Sequence, residues 1–210
     1  MKIVWIGNKD QMNELLAQGL DERAELTELK DPAFPGSIEG IDACIDLLFD
    51  DTGIRIKKLQ QLQAPVTIIH SVITPLNELT SGFIRINGWN TFLKRPAVEA
   101  ACKDDRLKEK AEKVFSFLNK KVDWVPDIAG FITPRVVASI INEAFFALEE
   151  QVSTKEEIDT AMKLGTNYPF GPFEWSEKIG LRNIVNLLSH LSKEQKRYEP
   201  SALLIKEASR

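Results

Sequence analysis

Few side chains in this 210-residue chain can exchange a proton near neutral pH, because it contains only two histidines, His70 and His190. His70 closes the apolar run PVTIIH, which would leave it at the carboxyl end of a strand, where α/β sheets collect ligands. There it is a candidate general base. His190 falls inside IVNLLSHL and reads as a structural or surface residue of a helix. Cys44 sits in the apolar run ACIDLLF and should behave as a small hydrophobe. With Cys102 it makes no C-x-x-C pattern, and no paired histidines accompany it, so neither a zinc site nor a disulfide framework is expected. Phosphate chemistry has one candidate place, GNKDQMN after the run KIVWI, where Gly7 and Asn8 are the candidate cofactor-binding residues. A dinucleotide fingerprint needs several glycines there, so that backbone amides can approach the pyrophosphate. Only Gly7 is present, and Asp10 adds negative charge. Glu28 and Asp31 stand about 20 residues further on, at the distance of a ribose-binding carboxylate.

Composition narrows the setting. A formal net charge of −4 offers no electrostatic footprint for nucleic acid or for an anionic membrane. No window approaches the ~20 consecutive apolar residues of a membrane span, and the opening MKIVWIGNKD reaches charge too early for a secretory signal. A reduced, cytoplasmic setting is the expectation. A hydrophobic content of 43% is enough to build a core over one large or two small domains.

The elements that would position these residues follow from periodicity. Unbroken or alternating apolar runs predict strands over 2–7, 25–30, 43–49, 65–70, 83–87 and 122–126. Helices are predicted over 10–19, 53–62 and 104–120. Strand, crossover helix, strand is the rhythm of a parallel sheet covered by helices. A boundary near Pro126 separates this α/β half from a helical one.

The helical half is the more informative. Pro134 suits a first helical turn, and Val137, Ile140, Ile141, Ala144, Phe145 and Leu148 recur as one wide apolar stripe. Ser153 with Glu156 reads as a capping box for a second helix that stops at Gly165. NYPFGPFEW, with two prolines around a glycine, predicts a fixed non-helical turn packed with aromatics, in which Tyr168, Phe170, Phe173 and Trp175 form a core corner. NIVNLLSHL and SALLIKEA supply two more amphipathic segments.

GFITPR, NEA at Asn142–Ala144, EIDTAMKLG, YPFGPFE and IGL, in that order, resemble the C-terminal domain of the L-3-hydroxyacyl-CoA dehydrogenases, including the 3-hydroxybutyryl-CoA enzymes. The likeness runs back more faintly through SVITPLNEL, with Pro75 and Glu78 in matching places, and through GFIRINGWNTFLKRPAVEAA. The resemblance implies an α/β fold: a shortened Rossmann-like parallel-sheet domain over residues 1–126, then an all-α C-terminal dimerisation domain over 127–210. It further implies NAD as cofactor, a 3-hydroxyacyl-CoA substrate and a homodimer formed through 127–210.

Carried over position by position, the catalytic histidine of the family falls on Asn87, its partner glutamate on Glu99, and the asparagine of its H-F-F-N-P motif on Asn90, with Thr91 at the proline. Two further polar substrate contacts fall on Val72 and Pro134. A carboxamide cannot accept a proton near neutral pH. Without its histidine, Glu99 reads as a retained structural carboxylate. From Gly7 to Asp46 the chain is also much shorter than the family pattern, which leaves out the helical insertion that helps bind CoA. The expectation is a dehydrogenase-like protein that has lost hydride transfer and acts as a binding or regulatory dimer, still able to recognise an acyl-CoA-like molecule. The alternative is an active NAD-dependent oxidoreductase with a site rebuilt around His70 or Glu99.

Overall fold

The computed structural model describes residues 1–30, 38–79 and 82–210. Asp31, one of the two candidate ribose carboxylates, lies outside the described residues. The chain divides into two units, Met1–Phe131 and Ile132–Arg210.

The first unit is built on a seven-stranded sheet: β1 (Lys2–Ile6), β2 (Glu25–Glu28), β3 (Ala43–Asp46), β4 (Thr67–His70), β5 (Ile84–Ile86), β6 (Ala97–Ala101) and β7 (Lys121–Trp124). Their spatial order is β2-β1-β3-β4-β5-β6-β7. Helices α1 (Lys9–Leu15), α2 (Gly53–Gln61) and α3 (Asp105–Phe117) follow β1, β3 and β6. The central strands are buried on both faces, which is why they read as unbroken apolar runs. One face packs Ile3, Ile45, Ile68, Val114 and Phe115; the other packs Ile6, Cys44, Leu59, Leu62 and Ile69. Burial pushes the Cys44 thiol up to about 12, so it is an inert apolar filler.

The all-parallel sheet expected from the sequence is corrected at one point: β5 and β6 pair antiparallel, with Arg85 opposite Ala101 and Ile86 opposite Ala100. Strand β6 is absent from the periodicity reading, since AVEAA is alanine-rich and alanine is a poor strand former. Pairing with β5 on one side and β7 on the other makes it a strand.

The division after Phe131 has a physical cause in the segment 127–131. Arg85 is fully buried, forms an ion pair with Asp127 at 3.0 Å, donates to the Ile128 carbonyl at 2.6 Å, and lies over the Phe131 ring at 4.1 Å. Asp127 also accepts from the Leu76 amide, and the Gly130 amide donates to the Val72 carbonyl. Burial pushes the Arg85 guanidinium down to about 10 against the opposing pull of Asp127, which leaves it charged at neutral pH.

The second unit holds α4 (Thr133–Glu149), α5 (Lys155–Thr166), α6 (Pro172–Ile179), α7 (Leu181–Ser192) and α8 (Ala202–Ala208). Val137, Ile141, Phe145, Phe173, Ile184, Leu187, Leu188 and Leu204 form its buried interior, with the Phe145 and Phe173 rings edge to face at 5.0 Å. Three sequence expectations shift here. The capping box is Thr154 with Glu157, one residue later than read. Both pairs satisfy the same spacing, and the extended backbone of Thr154 decides between them, while Ser153 donates to the same Glu157 carboxylate. Helix α5 runs past Gly165 to Thr166 and ends on Asn167 at φ +56°, a left-handed cap that asparagine tolerates. The stretch expected to be wholly non-helical enters α6 at Pro172, whose fixed φ suits a first turn. In the aromatic corner Phe173 and Trp175 are buried, whereas Tyr168 is exposed and Phe170 half-buried against Trp175.

Asp159 on α5 explains much of the EIDTAMKLG and YPFGPFE pattern. Its carboxylate accepts from the Phe173 and Glu174 amides at 2.8 and 3.1 Å, which caps α6 from outside. Glu174 returns to the Gly171 amide. Asn142 similarly bridges the Glu199 carbonyl and the Ser201 amide.

Candidate functional site

In an open α/β sheet the ligand crevice lies beyond the carboxyl ends of the strands, where strand order reverses. Here that point falls between β1 and β3. The loop after β1 carries Gly7 and Asn8, the loop after β3 carries Leu47 to Asp51, and β4 and β5 deliver His70 and Asn87 to the same edge.

The crevice at the reversal is closed by the chain itself. Asn8 caps α1 by accepting from the Gln11 amide at 2.9 Å, and the Gln11 carboxamide oxygen accepts from the Asn8 amide at 3.0 Å. The same carboxamide donates to the Leu47 carbonyl at 2.9 Å. Gln11 is buried and staples the two loops between which a pyrophosphate would enter. A Cβ on Gly7 would sit 3.1 Å from the Trp5 ring and 3.3 Å from the Gln11 oxygen, so the glycine makes room for internal side chains. Exposed Asp10, Asp50 and Asp51 rim the same edge with negative charge. Helix α1 is seven residues long, and its capping box engages the Asn8 and Gln11 amides. These residues do not fit a dinucleotide pyrophosphate. Glu28 does stand at the end of β2, exposed and in register with Trp5, where a ribose carboxylate would be.

Asn87 and Glu99 are brought together at the end of β5 and in β6. The Asn87 carboxamide donates to the Glu99 carboxylate at 3.2 Å, and its own oxygen accepts from the Trp89 amide at 3.2 Å. The backbone amide of Asn87 donates to the Glu99 carbonyl at 3.1 Å. Asn87 is buried and Glu99 half-buried, whereas Asn90 is exposed on the following turn. That turn is pinned from several sides. The Thr91 amide donates to both Glu14 carboxylate oxygens at 2.7 and 2.8 Å, and buried Lys120 donates to the Leu93 and Arg95 carbonyls at 2.5 and 2.8 Å. Thr91 has φ +77°, a value rare for a β-branched residue. A proline can neither adopt that angle nor donate that bond, so the turn differs from one built on H-F-F-N-P.

His70 is committed elsewhere. Its Nδ1 accepts from the Gly88 amide at 2.9 Å, and a Cβ on Gly88 would lie 2.7 Å from the ring. Burial pushes the imidazole down to about 4, against a smaller upward pull from the Ile86 carbonyl. Such a histidine is neutral at pH 7 with one nitrogen already engaged. The unfolded chain takes up this proton near pH 6.5 and the native one only near 4, so the stability it contributes is present above 6.5 and lost as pH falls through that window. The expected loss between pH 7 and pH 4 is about 3 kcal/mol. Urea titrations of wild type and His70→Asn, which keeps an acceptor for Gly88, should differ in pH slope by that amount. Equal slopes would show that His70 protonates freely in the native state.

Val72 is buried and contributes only its carbonyl to the Gly130 amide, and Pro134 is buried in the first turn of α4. Neither side chain can hydrogen-bond a substrate. Sequence reasoning missed Gln11, although N-x-x-Q after a strand is a legible capping box. It also missed the ion pair at the end of β3, where Arg55 forks onto Asp46 at 2.7 and 2.8 Å with both side chains buried. Among the described residues no group of three or more His, Cys, Asp or Glu side chains could hold a metal ion, and no helix is long and apolar enough to cross a membrane.

Residues 130–208 match the family model of the 3-hydroxyacyl-CoA dehydrogenase C-terminal domain. Residues 130–208 thus form a C-terminal domain of the 3-hydroxyacyl-CoA dehydrogenase type. The chain is 40% identical over 111 residues to a 3-hydroxyadipyl-CoA dehydrogenase of Escherichia coli, covering 52% of this chain and 23% of that protein. It is 36% identical over 105 residues to a 3-hydroxybutyryl-CoA dehydrogenase of Bradyrhizobium diazoefficiens, covering 49% of this chain and 36% of that one. The matches thus span about a quarter to a third of these dehydrogenases' own length. The fold of the whole chain is similar to the crystal structure of (S)-3-hydroxybutyryl-CoA dehydrogenase from Ralstonia eutropha, with a TM-score of 0.76 at 20% identity over 99% of this chain and 93% of that one. The α/β architecture with a helical C-terminal part is therefore that of the 3-hydroxyacyl-CoA dehydrogenases.

Proposed function

We propose that this protein is a dehydrogenase-like chain without hydride-transfer activity, serving as a binding or regulatory homodimer held through its helical unit. The observation that carries this reading is the Asn87 carboxamide hydrogen-bonded to Glu99, in the place where the family pattern has a histidine that takes the hydroxyl proton. Oxidation of a 3-hydroxyacyl group needs a base at that point, and an amide held by a carboxylate and by the Trp89 amide supplies none. The Gln11 staple argues in the same direction for NAD, the cofactor that the resemblance implies. Exposed Ile132 just before α4, Val136 on α4, Leu164 on α5 and Ile205 on α8 support self-association of the helical unit. Any remaining ligand is of the acyl-CoA-like class that the relatives' names suggest.

One feature favours the alternative of an active NAD-dependent oxidoreductase on 3-hydroxyacyl-CoA: Glu28 keeps the position of a ribose-binding carboxylate. Incubation with NADH and acetoacetyl-CoA, followed by reduced-nicotinamide absorbance, decides between the two readings. The expected rate lies below about 10⁻³ s⁻¹, against ~1–10³ s⁻¹ for ordinary enzymes. Turnover in the ordinary range would overturn the proposal, as would a saturable rise of melting temperature with NAD.

A further inference from the structure

We infer that the protein modifies itself at Asn87: the Gly88 backbone nitrogen attacks the Asn87 carboxamide, ammonia leaves, and the resulting succinimide is hydrolysed to aspartate or isoaspartate. Asn87-Gly88 is the one Asn-Gly pair in the chain. Glycine suits the second place because it has no side chain to obstruct closure of the ring.

Three contacts supply the groups that the reaction needs. His70 Nδ1 accepts from the Gly88 amide at 2.9 Å, so the nitrogen that must lose its proton is already bonded to an imidazole. Burial pushes that imidazole down to about 4, which leaves it neutral and basic at pH 7. The Trp89 amide donates to the Asn87 carboxamide oxygen at 3.2 Å, where negative charge develops as the carbon becomes tetrahedral. The same bond closes an Asx turn, which folds the carboxamide back toward the peptide that follows it. On the other side the Glu99 carboxylate accepts from the carboxamide nitrogen at 3.2 Å and so holds the leaving group. Nucleophile, base, oxyanion donor and leaving-group partner therefore meet around one carbon.

The Gly88 nitrogen forms a bond to Asn87 Cγ and gives its proton to His70. The bond from Cγ to the amide nitrogen breaks, and that nitrogen leaves as ammonia with one proton, the net equivalent of the one taken from Gly88. Water then opens the ring at one of its two carbonyls, and nothing is oxidised or reduced. The product sets a second carboxyl group beside Glu99, and two such groups in contact cannot both ionise freely. A titrating group then stands where the carboxamide offers none. This goes beyond the reading of an inactive scaffold and is tested apart from it, because the conversion is read by mass at residue 87 and not by hydride transfer.

The test keeps the full chain native at neutral pH in H₂¹⁸O and follows it by peptide mass mapping. The peptide that holds residue 87 should gain the mass of an amide-to-acid exchange with ¹⁸O incorporated, and isoaspartyl methyltransferase should label it. The native chain should convert about tenfold faster or more than the same chain unfolded in urea, which keeps the Asn-Gly pair and loses all three contacts. His70→Asn keeps an acceptor for the Gly88 amide but cannot take its proton, and should slow native conversion about tenfold or more. Conversion no faster in the native than in the unfolded chain would overturn the proposal, and this comparison needs no variant to fold. An unchanged native rate in folded His70→Asn would overturn it as well.

Discussion

Arg55→Met is expected to destabilise the first unit by about 3–5 kcal/mol, because it leaves the Asp46 carboxylate fully buried without its guanidinium. Domains of this size have about 5–15 kcal/mol in total, so the variant should be close to unfolding at ambient temperature. The Leu48 amide also donates to the carboxylate, at 3.0 Å, and a neutral donor does not replace the guanidinium. The double variant Asp46→Leu with Arg55→Met should recover much of the loss, since replacing both members of a buried pair by apolar residues removes the desolvation cost along with the attraction. Denaturant midpoints for the two single variants and the double one measure this directly. A single-variant loss under about 1 kcal/mol would mean that Asp46 is reached by water. The pair also bears on function. It lies at the end of β3, beside the loop that Gln11 staples, and it engages the Arg55 guanidinium there. A dinucleotide would meet exposed Asp10, Asp50 and Asp51 there with no free positive charge from Arg55 to answer its phosphates.

Gly171→Ala is expected to cost the helical unit about 3 kcal/mol or more. An added Cβ would lie 2.3–2.4 Å from three atoms of the Asp159 side chain, closer than any real contact allows. The carboxylate must move, and in moving it gives up its bonds to the Phe173 and Glu174 amides at the start of α6. Overpacking costs about 1–3 kcal/mol, and the lost charge-assisted cap adds about 1–2 more. Asp159→Ala alone should cost only the cap. Combining it with Gly171→Ala should therefore be less than additive, because the small side chain makes room for the new methyl. Thermal melts of the three variants check the ordering. Full additivity would mean that Gly171 is needed for its backbone and not for the space above it. If the helical unit is also the dimer surface, the same variants should lower the concentration-dependence of the melting temperature.

What could be read from residues alone was whatever local physics decides. Unbroken apolar runs announced β1, β3 and β4 because a doubly covered strand has no polar face. The stripe on α4 announced a helix because 3.6-residue periodicity needs no tertiary information. The resemblance put the family's histidine and glutamate positions on Asn87 and Glu99, and the two side chains are hydrogen-bonded to each other. Even so, the sequence assigned β6 to no element, since alanine carries no strand preference and only two neighbouring strands could order it.

The tertiary structure alone decided matters that depend on which distant groups meet. Gln11 is an unremarked polar residue until β3 brings the Leu47 carbonyl within 2.9 Å of it. His70, a candidate base on paper, becomes a neutral acceptor once the Gly88 amide faces its Nδ1 and burial removes its water. Arg85 and Asp127 are remote in the chain, and their pairing ties the segment 127–131 to the sheet of the first unit. The common reason is that burial and hydrogen-bond partnership are properties of pairs far apart in the chain. They fix the protonation state, accessibility and cost of a side chain more strongly than its chemical type does.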